Sequence, residues 1–204
     1  MIVTFKTILY ALQVLAFLVA LFRQKKNKKG LQGIFVYFLG FVLLTEFSAN
    51  YVRIVAGINN TFIYNIFNTV SLIFYMYWLQ QYLRKKWIRY LYVGFIAATL
   101  IEAFFTPWKE LLKTSFYLGV GIIFFMTIFY LLTLLKKEEV IQFYRKQSFW
   151  ISTGILIYHI GVFPLILLLD VPSFNKVHFQ FALMFLNIFL YALITVGLLC
   201  PLKR

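Results

Sequence analysis

The side chains best suited to chemistry in this sequence are few, and they stand in apolar surroundings. In the stretch TEFSANYVR, residues 45 to 53, Glu46, Asn50, Arg53 and the following Gly57 recur at i, i+4, i+7 and i+11. At about 100° per residue they share one helical face. Glu46 and Arg53 are two turns apart, about 10 Å in rise, so Asn50 can stand between them and a group on another helix is needed to complete the set. Asn65 and Asn68 form a second polar stripe with Thr61 and Tyr75, and Glu102 adds a carboxylate further along. The stretch FWISTGILIYHIGVFPLILLLD carries His159, with Asn187 in the apolar run that follows. A polar group in hydrocarbon is costly, about 2.5 to 3.5 kcal/mol for a central charge, so such groups turn inward and find partners. Two chemistries fit them: binding of a ligand, or carriage of a proton by His159. The plainer alternative is packing, since interhelical Asn and Glu hydrogen bonds contribute about 0.6 kcal/mol each, and His159 can serve as a neutral imidazole bonded to a neighbouring helix.

The elements that must position these groups follow from composition. The chain is 63% hydrophobic and 13% charged, with a mean hydropathy of +0.86, against about 45 to 50% apolar and about 25% charged in soluble proteins. This composition predicts an integral membrane protein. A spanning helix needs about 20 apolar residues, and seven such runs occur, at about 4 to 22, 31 to 55, 61 to 83, 88 to 106, 112 to 135, 148 to 169 and 178 to 199. They are too long for barrel strands and lack period-two alternation. The fold class is all-α: a polytopic transmembrane helical bundle, one domain over residues 1 to 204. The longest connection, KKEEVIQFYRKQ at 136 to 147, is expected to extend the helices flanking it.

A net charge of +14 in a soluble protein points to nucleic acid or an acidic partner, but here the positions matter more. Arg23, Lys25, Lys26, Lys28 and Lys29 follow the first run; Arg84, Lys85, Lys86 and Arg89 follow the third; Lys136, Lys137, Arg145 and Lys146 follow the fifth; Lys203 and Arg204 end the chain. These 15 of the 20 basic residues fall on one side of a seven-span chain. Lys6, Arg53, Lys109, Lys113 and Lys176 fall on the other, diluted by Glu102, Glu110 and Asp170. The positive-inside rule then places the N-terminus outside and the C-terminus in the cytoplasm. Nucleic-acid binding is excluded, because the stacking and phosphate-cradling motifs are missing. The first run is read as a helix and not a secretory leader, because its basic cluster follows the apolar stretch. The lone Cys200 before Pro201 suits a buried apolar thiol.

In this arrangement Glu46 lies about 22 Å into a slab of about 30 Å. Asn65, Asn68 and Glu102 reach similar depths, forming a polar pocket between helices in the outer half. Gly154, Tyr158 and Gly161 share a stripe with Trp150, which allows close approach by another helix. Pro164 cannot donate to the Ile160 carbonyl, so a kink is expected near His159. His159 and Asn187 lie near the midplane. No metal site is expected, because the two histidines and the single cysteine fall at different depths. The last run has no lysine to hold retinal, and no nucleophile elbow or phosphate loop occurs. No cofactor is called for.

At FVYFLGFVLLTEFSANYV, NTFIYNIFNTVSLIFYMYWLQQYL and FWISTGILIYHIG the chain resembles uncharacterised bacterial multi-pass membrane proteins of about this length and, more distantly, the seven-helix input modules of membrane sensor kinases. The resemblance implies a sensing or accessory module of the bacterial inner membrane that acts through a separate cytoplasmic protein; the chain departs from the sensor kinases in that no catalytic or dimerisation domain is expected after the last run, which counts against signalling. The partners expected are membrane lipid, a small-molecule or lipid ligand held by Glu46, Asn50, Arg53, Asn65, Asn68, Glu102, His159 and Asn187, and that cytoplasmic protein. The rival readings are a lipid-modifying enzyme or a small transporter using Glu46, Glu102 and His159, and a purely structural subunit.

Overall fold

The computed structural model describes residues 2–26, 31–107, 109–136, 144–169, 171 and 174–200. Lys28, Lys29, Lys137, Asp170, Lys203 and Arg204, which carry part of the charge pattern, lie outside them, as does most of the 136 to 147 connection. Among the described residues there are seven helices and no strand: α1 (Ile2–Lys26), α2 (Leu31–Ile54), α3 (Thr61–Leu83), α4 (Ile88–Phe105), α5 (Lys113–Leu135), α6 (Gln147–Leu168) and α7 (Lys176–Leu199). Each is long and apolar enough to cross a membrane. The shortest, α4 with 18 residues, covers about 27 Å at about 1.5 Å per residue. A helix is what such runs must form in lipid, because every backbone donor and acceptor has to be satisfied within the segment.

Polar residues set the helix ends. Asn59 Oδ1 accepts from the Thr61 amide at 2.9 Å and the Thr61 hydroxyl at 2.6 Å as α3 begins. Asn175 Oδ1 accepts from the Val177 amide at 2.8 Å and caps α7. Arg84 ends α3 in the left-handed region, with φ 52 and ψ 29. Helix α6 is continuous from Gln147 to Leu168 with Pro164 inside it.

The residues form two compact units. One holds α1, α6 and α7, α2 as far as Leu39 and α5 from Thr127 onward. In it α1 and α7 run parallel: Phe5 meets Phe181 edge to face at 5.7 Å near their starts, and Arg23 Nη2 donates to the Leu199 carbonyl at their ends. Helix α6 runs antiparallel to α7. A Cβ on Gly154 would lie 3.1 Å from Leu193, one on Gly161 2.5 Å from Leu186, and one on Gly197 2.9 Å from the Gln147 carbonyl. The Gly154 and Gly161 stripe therefore faces α7, and small residues let the two backbones close up. Tyr130 donates to Ser148 Oγ at 2.6 Å, joining α5 to the start of α6.

The second unit is Gly40–Met126. Phe41 stacks on Phe67 at 6.1 Å, and Asn60 Nδ2 donates to the Ala49 carbonyl at 3.1 Å, so α2 packs along α3. Tyr92 OH donates to Gln80 Oε1 at 2.7 Å across the antiparallel α3 and α4. At Gly119 an added Cβ would lie 2.7 Å from Leu72 and 2.8 Å from Phe95, which is how α5 closes on both. Met76, Trp78, Leu79 and Phe95 are buried in this unit.

Candidate functional site

The polar residues of the second unit converge on the connection between α4 and α5. Asn65, buried on α3, uses both ends of its amide there: Nδ2 donates to the Glu110 carbonyl at 2.8 Å, and Oδ1 accepts from the Leu112 amide at 3.2 Å. Asn59 Nδ2 donates to the Lys109 carbonyl at 3.2 Å. Glu102, in the last turn of α4, accepts from the Thr114 amide at 2.8 Å, from the Ser115 amide at 2.6 Å and from the Ser115 hydroxyl. A carboxylate at this place meets the unpaired N–H groups and the positive end of α5. It does the work of an N-cap, but from the preceding helix.

Beside this connection lies a groove of about 330 Å³ between α3 and α4. Phe62, Ile66 and Val70 line it from α3, Ala103 from α4, and Thr106, Pro107 and Leu112 wall one end. Asn65, Thr69 and Thr99 also line it. The Thr69 and Thr99 hydroxyls are occupied, donating at 2.9 Å to the Asn65 and Phe95 carbonyls one helical turn back. The lining therefore offers an apolar surface with few polar demands. Ile66 and Val70 are also exposed, so the α3 rim is apolar too. A second void of about 10 Å³ sits next to Asn65, Asn68 and Ser115, about the space of one water molecule.

Of the expected site residues, the structure brings Asn65 and Asn68 to these cavities and Glu102 to the start of α5. Glu46 and Asn50 are half-buried on α2, and both are engaged. Arg53 is exposed in the last turn of α2, where a cation suits the helix dipole. His159 and Asn187 belong to the other unit. His159 is 3% exposed and donates from Nδ1 to the Ile155 carbonyl at 2.7 Å, which fixes the ring's Nδ1–H tautomer. Asn187 Nδ2 donates to the Leu183 carbonyl at 2.8 Å within its own helix. Cys200, half-buried beyond the end of α7, has its thiol pushed up by burial despite the nearby Arg23. Among the described residues no three His, Cys, Asp or Glu side chains gather as metal ligands would.

Sequence reasoning missed Ser115, Thr114 and the Gln80–Tyr92 bond. The partners of Glu102 lie 12 and 13 residues away on the next helix, outside any helical period. The one available signal was the Thr114–Ser115 pair opening an apolar run, a common helix-start composition. No protein-family model matches this chain, and neither a curated protein nor a solved structure matches it.

Proposed function

We propose that this chain is a binding or sensor-like accessory module of the bacterial inner membrane. It holds a small apolar or lipid ligand in the groove between α3 and α4 and acts through a separate protein. The observation that carries the reading is the groove: about 330 Å³ of apolar space within candidate spans, with the Thr69 and Thr99 hydroxyls bonded to backbone carbonyls. A methylene-rich ligand leaves neither of those hydroxyls unsatisfied. An N-terminus outside and a C-terminus in the cytoplasm agree with the basic residues following the first, third and fifth helices. They agree also with the parallel register of α1 and α7.

A lipid-modifying enzyme built on Glu46, Glu102 and His159 has less support. The Glu102 oxygens are taken by Thr114 and Ser115, and His159 Nδ1 is taken by the Ile155 carbonyl. The test is to count co-purifying lipid by native mass spectrometry for the wild type and for Ala103→Phe, which fills the groove from an exposed α4 position. The reading predicts bound lipid in the wild type and its loss in the variant, with the same unfolding temperature for both once they are delipidated. Equal lipid retention by both proteins would refute it.

A further inference from the structure

The connection between α3 and α4 concentrates charge on a hydrogen-bonded backbone. Arg84, Lys85 and Lys86 precede Trp87, and Arg89 and Tyr90 follow in the first turn of α4; all six are exposed. Trp87 is 50% and Tyr90 78% exposed, whereas Ile88 between them is fully buried and anchors the turn. The Arg84 amide donates to the Gln80 carbonyl at 2.8 Å, the Arg89 amide to Lys86 at 3.1 Å and the Tyr90 amide to Trp87 at 3.1 Å. One helical turn further in, the Tyr92 to Gln80 bond ties the two helices together.

No Asp or Glu occurs between Glu46 and Glu102. The three carboxylates of this unit all stand toward its other end. Glu102 is 14 residues along α4 from Ile88, about 21 Å in rise. The Glu110 carbonyl is bonded to Asn65, near the start of α3. Glu46 lies in the part of α2 whose neighbours Phe41 and Ala49 meet Phe67 and Asn60. The four cations are therefore unbalanced within the unit, with a Trp and a Tyr exposed beside them. Both helices are long and apolar enough to span, so their connection emerges at a bilayer surface. Exposed Trp and Tyr suit the headgroup level, and clustered Lys and Arg next to a span attract anionic lipid. Arginine adds planar, bidentate recognition of phosphate.

We propose that the α3–α4 turn is a binding site for anionic phospholipid, with Lys85, Lys86 and Arg89 on the headgroup phosphates and Trp87 and Tyr90 seated in the interface. It is independent of the groove. The test uses the full chain reconstituted in phosphatidylcholine containing a small fraction of either brominated phosphatidylglycerol or brominated phosphatidylcholine. Trp87 quenching is isolated by subtracting the signal of Trp87→Phe. The expected result is stronger quenching by the anionic lipid at equal mole fraction. With about fivefold enrichment per cation as the upper scale, the preference should fall on the order of tenfold or more in K85Q/K86Q/R89Q. Quenching by the zwitterionic lipid should not change.

Equal quenching by the two lipids in the wild type would overturn the proposal without any variant being needed. A preference surviving in the triple variant would overturn it too. Displacement of the anionic lipid by millimolar inorganic phosphate would reassign the turn to free phosphate. Binding of an acidic protein segment with no lipid preference would make it a protein-docking surface.

Discussion

Replacing Glu102 tests whether a carboxylate at the end of a candidate span serves to fasten one helix to the next. In Glu102→Ala, the amides of Thr114 and Ser115 and the Ser115 hydroxyl lose their acceptor. Thr114 is exposed, so water can take over its amide. Ser115 is 3% exposed, so its donors have no such substitute. A hydrogen bond to a charged group contributes about 1.5 to 3 kcal/mol, and a buried donor left unmade costs about 1 to 3 kcal/mol. Loss of a helix cap costs about 1 kcal/mol. These overlap and do not add in full, so Glu102→Ala should destabilise by about 2 to 4 kcal/mol. Glu102→Gln keeps one oxygen and should cost less, and Ser115→Ala about 1 kcal/mol. The assay is reversible unfolding in one detergent for all three variants, with hydrogen exchange followed at residues 113 to 118. The double variant should show a coupling of about 1 kcal/mol between the two positions. If Glu102→Ala lies within about 0.5 kcal/mol of the wild type, or if exchange at the start of α5 does not quicken, Glu102 does not cap that helix.

Gly197→Ala should be more damaging than Gly161→Ala. Its Cβ would meet the Gln147 carbonyl at 2.9 Å, a backbone atom, whereas at Gly161 the obstacle is the tip of Leu186. Overpacking of this kind costs about 1 to 3 kcal/mol, and equal unfolding temperatures for the two variants would contradict the α6–α7 packing. Arg84→Gly should raise stability in a zwitterionic detergent by about 1 kcal/mol, because a non-glycine residue at φ 52 pays a left-handed penalty; a lower unfolding temperature would show that the Arg84 side chain contributes more than the backbone strain costs.

The helices were legible because hydrophobic length dominates in a membrane protein. The runs at 61 to 83 and 88 to 106 and the helices Thr61–Leu83 and Ile88–Phe105 differ by a residue at most. Helix α1 runs from Ile2 to Lys26, wider than the 4 to 22 expected, because polar and basic residues do not stop a helix whose carbonyls they can meet at its end. The glycine stripe on α6 was also readable, since small residues at helical spacing have one strong structural use. The destinations of the polar side chains were less so. Glu46, Asn65 and Glu102 look alike by depth and period, yet Asn65 and Glu102 both reach backbone groups in and just after one inter-helix connection. Periodicity assigns a face of a helix; it does not say whether the group opposite is a ligand, a side chain or the open end of the next helix.

That destination links the fasteners to the groove. Thr106, Pro107 and Leu112, which wall its end, belong to the connection that Asn65 grips at Glu110 and Leu112 and that runs into the α5 turn held by Glu102. Loosening either grip should therefore widen the end of the groove as well as lower stability. The two effects can be separated. If the groove holds a ligand, Glu102→Ala should lose both ligand and stability in the delipidated state, whereas Ala103→Phe should lose the ligand and keep the delipidated stability. A ligand that binds the folded state should in turn raise the unfolding temperature as its concentration rises, and it should slow hydrogen exchange at Leu112, whose amide donates to Asn65 on the groove wall. Protection at Leu112 that does not depend on added lipid would mean that the connection is held by Asn65 and Glu102 alone, with the groove taking no part.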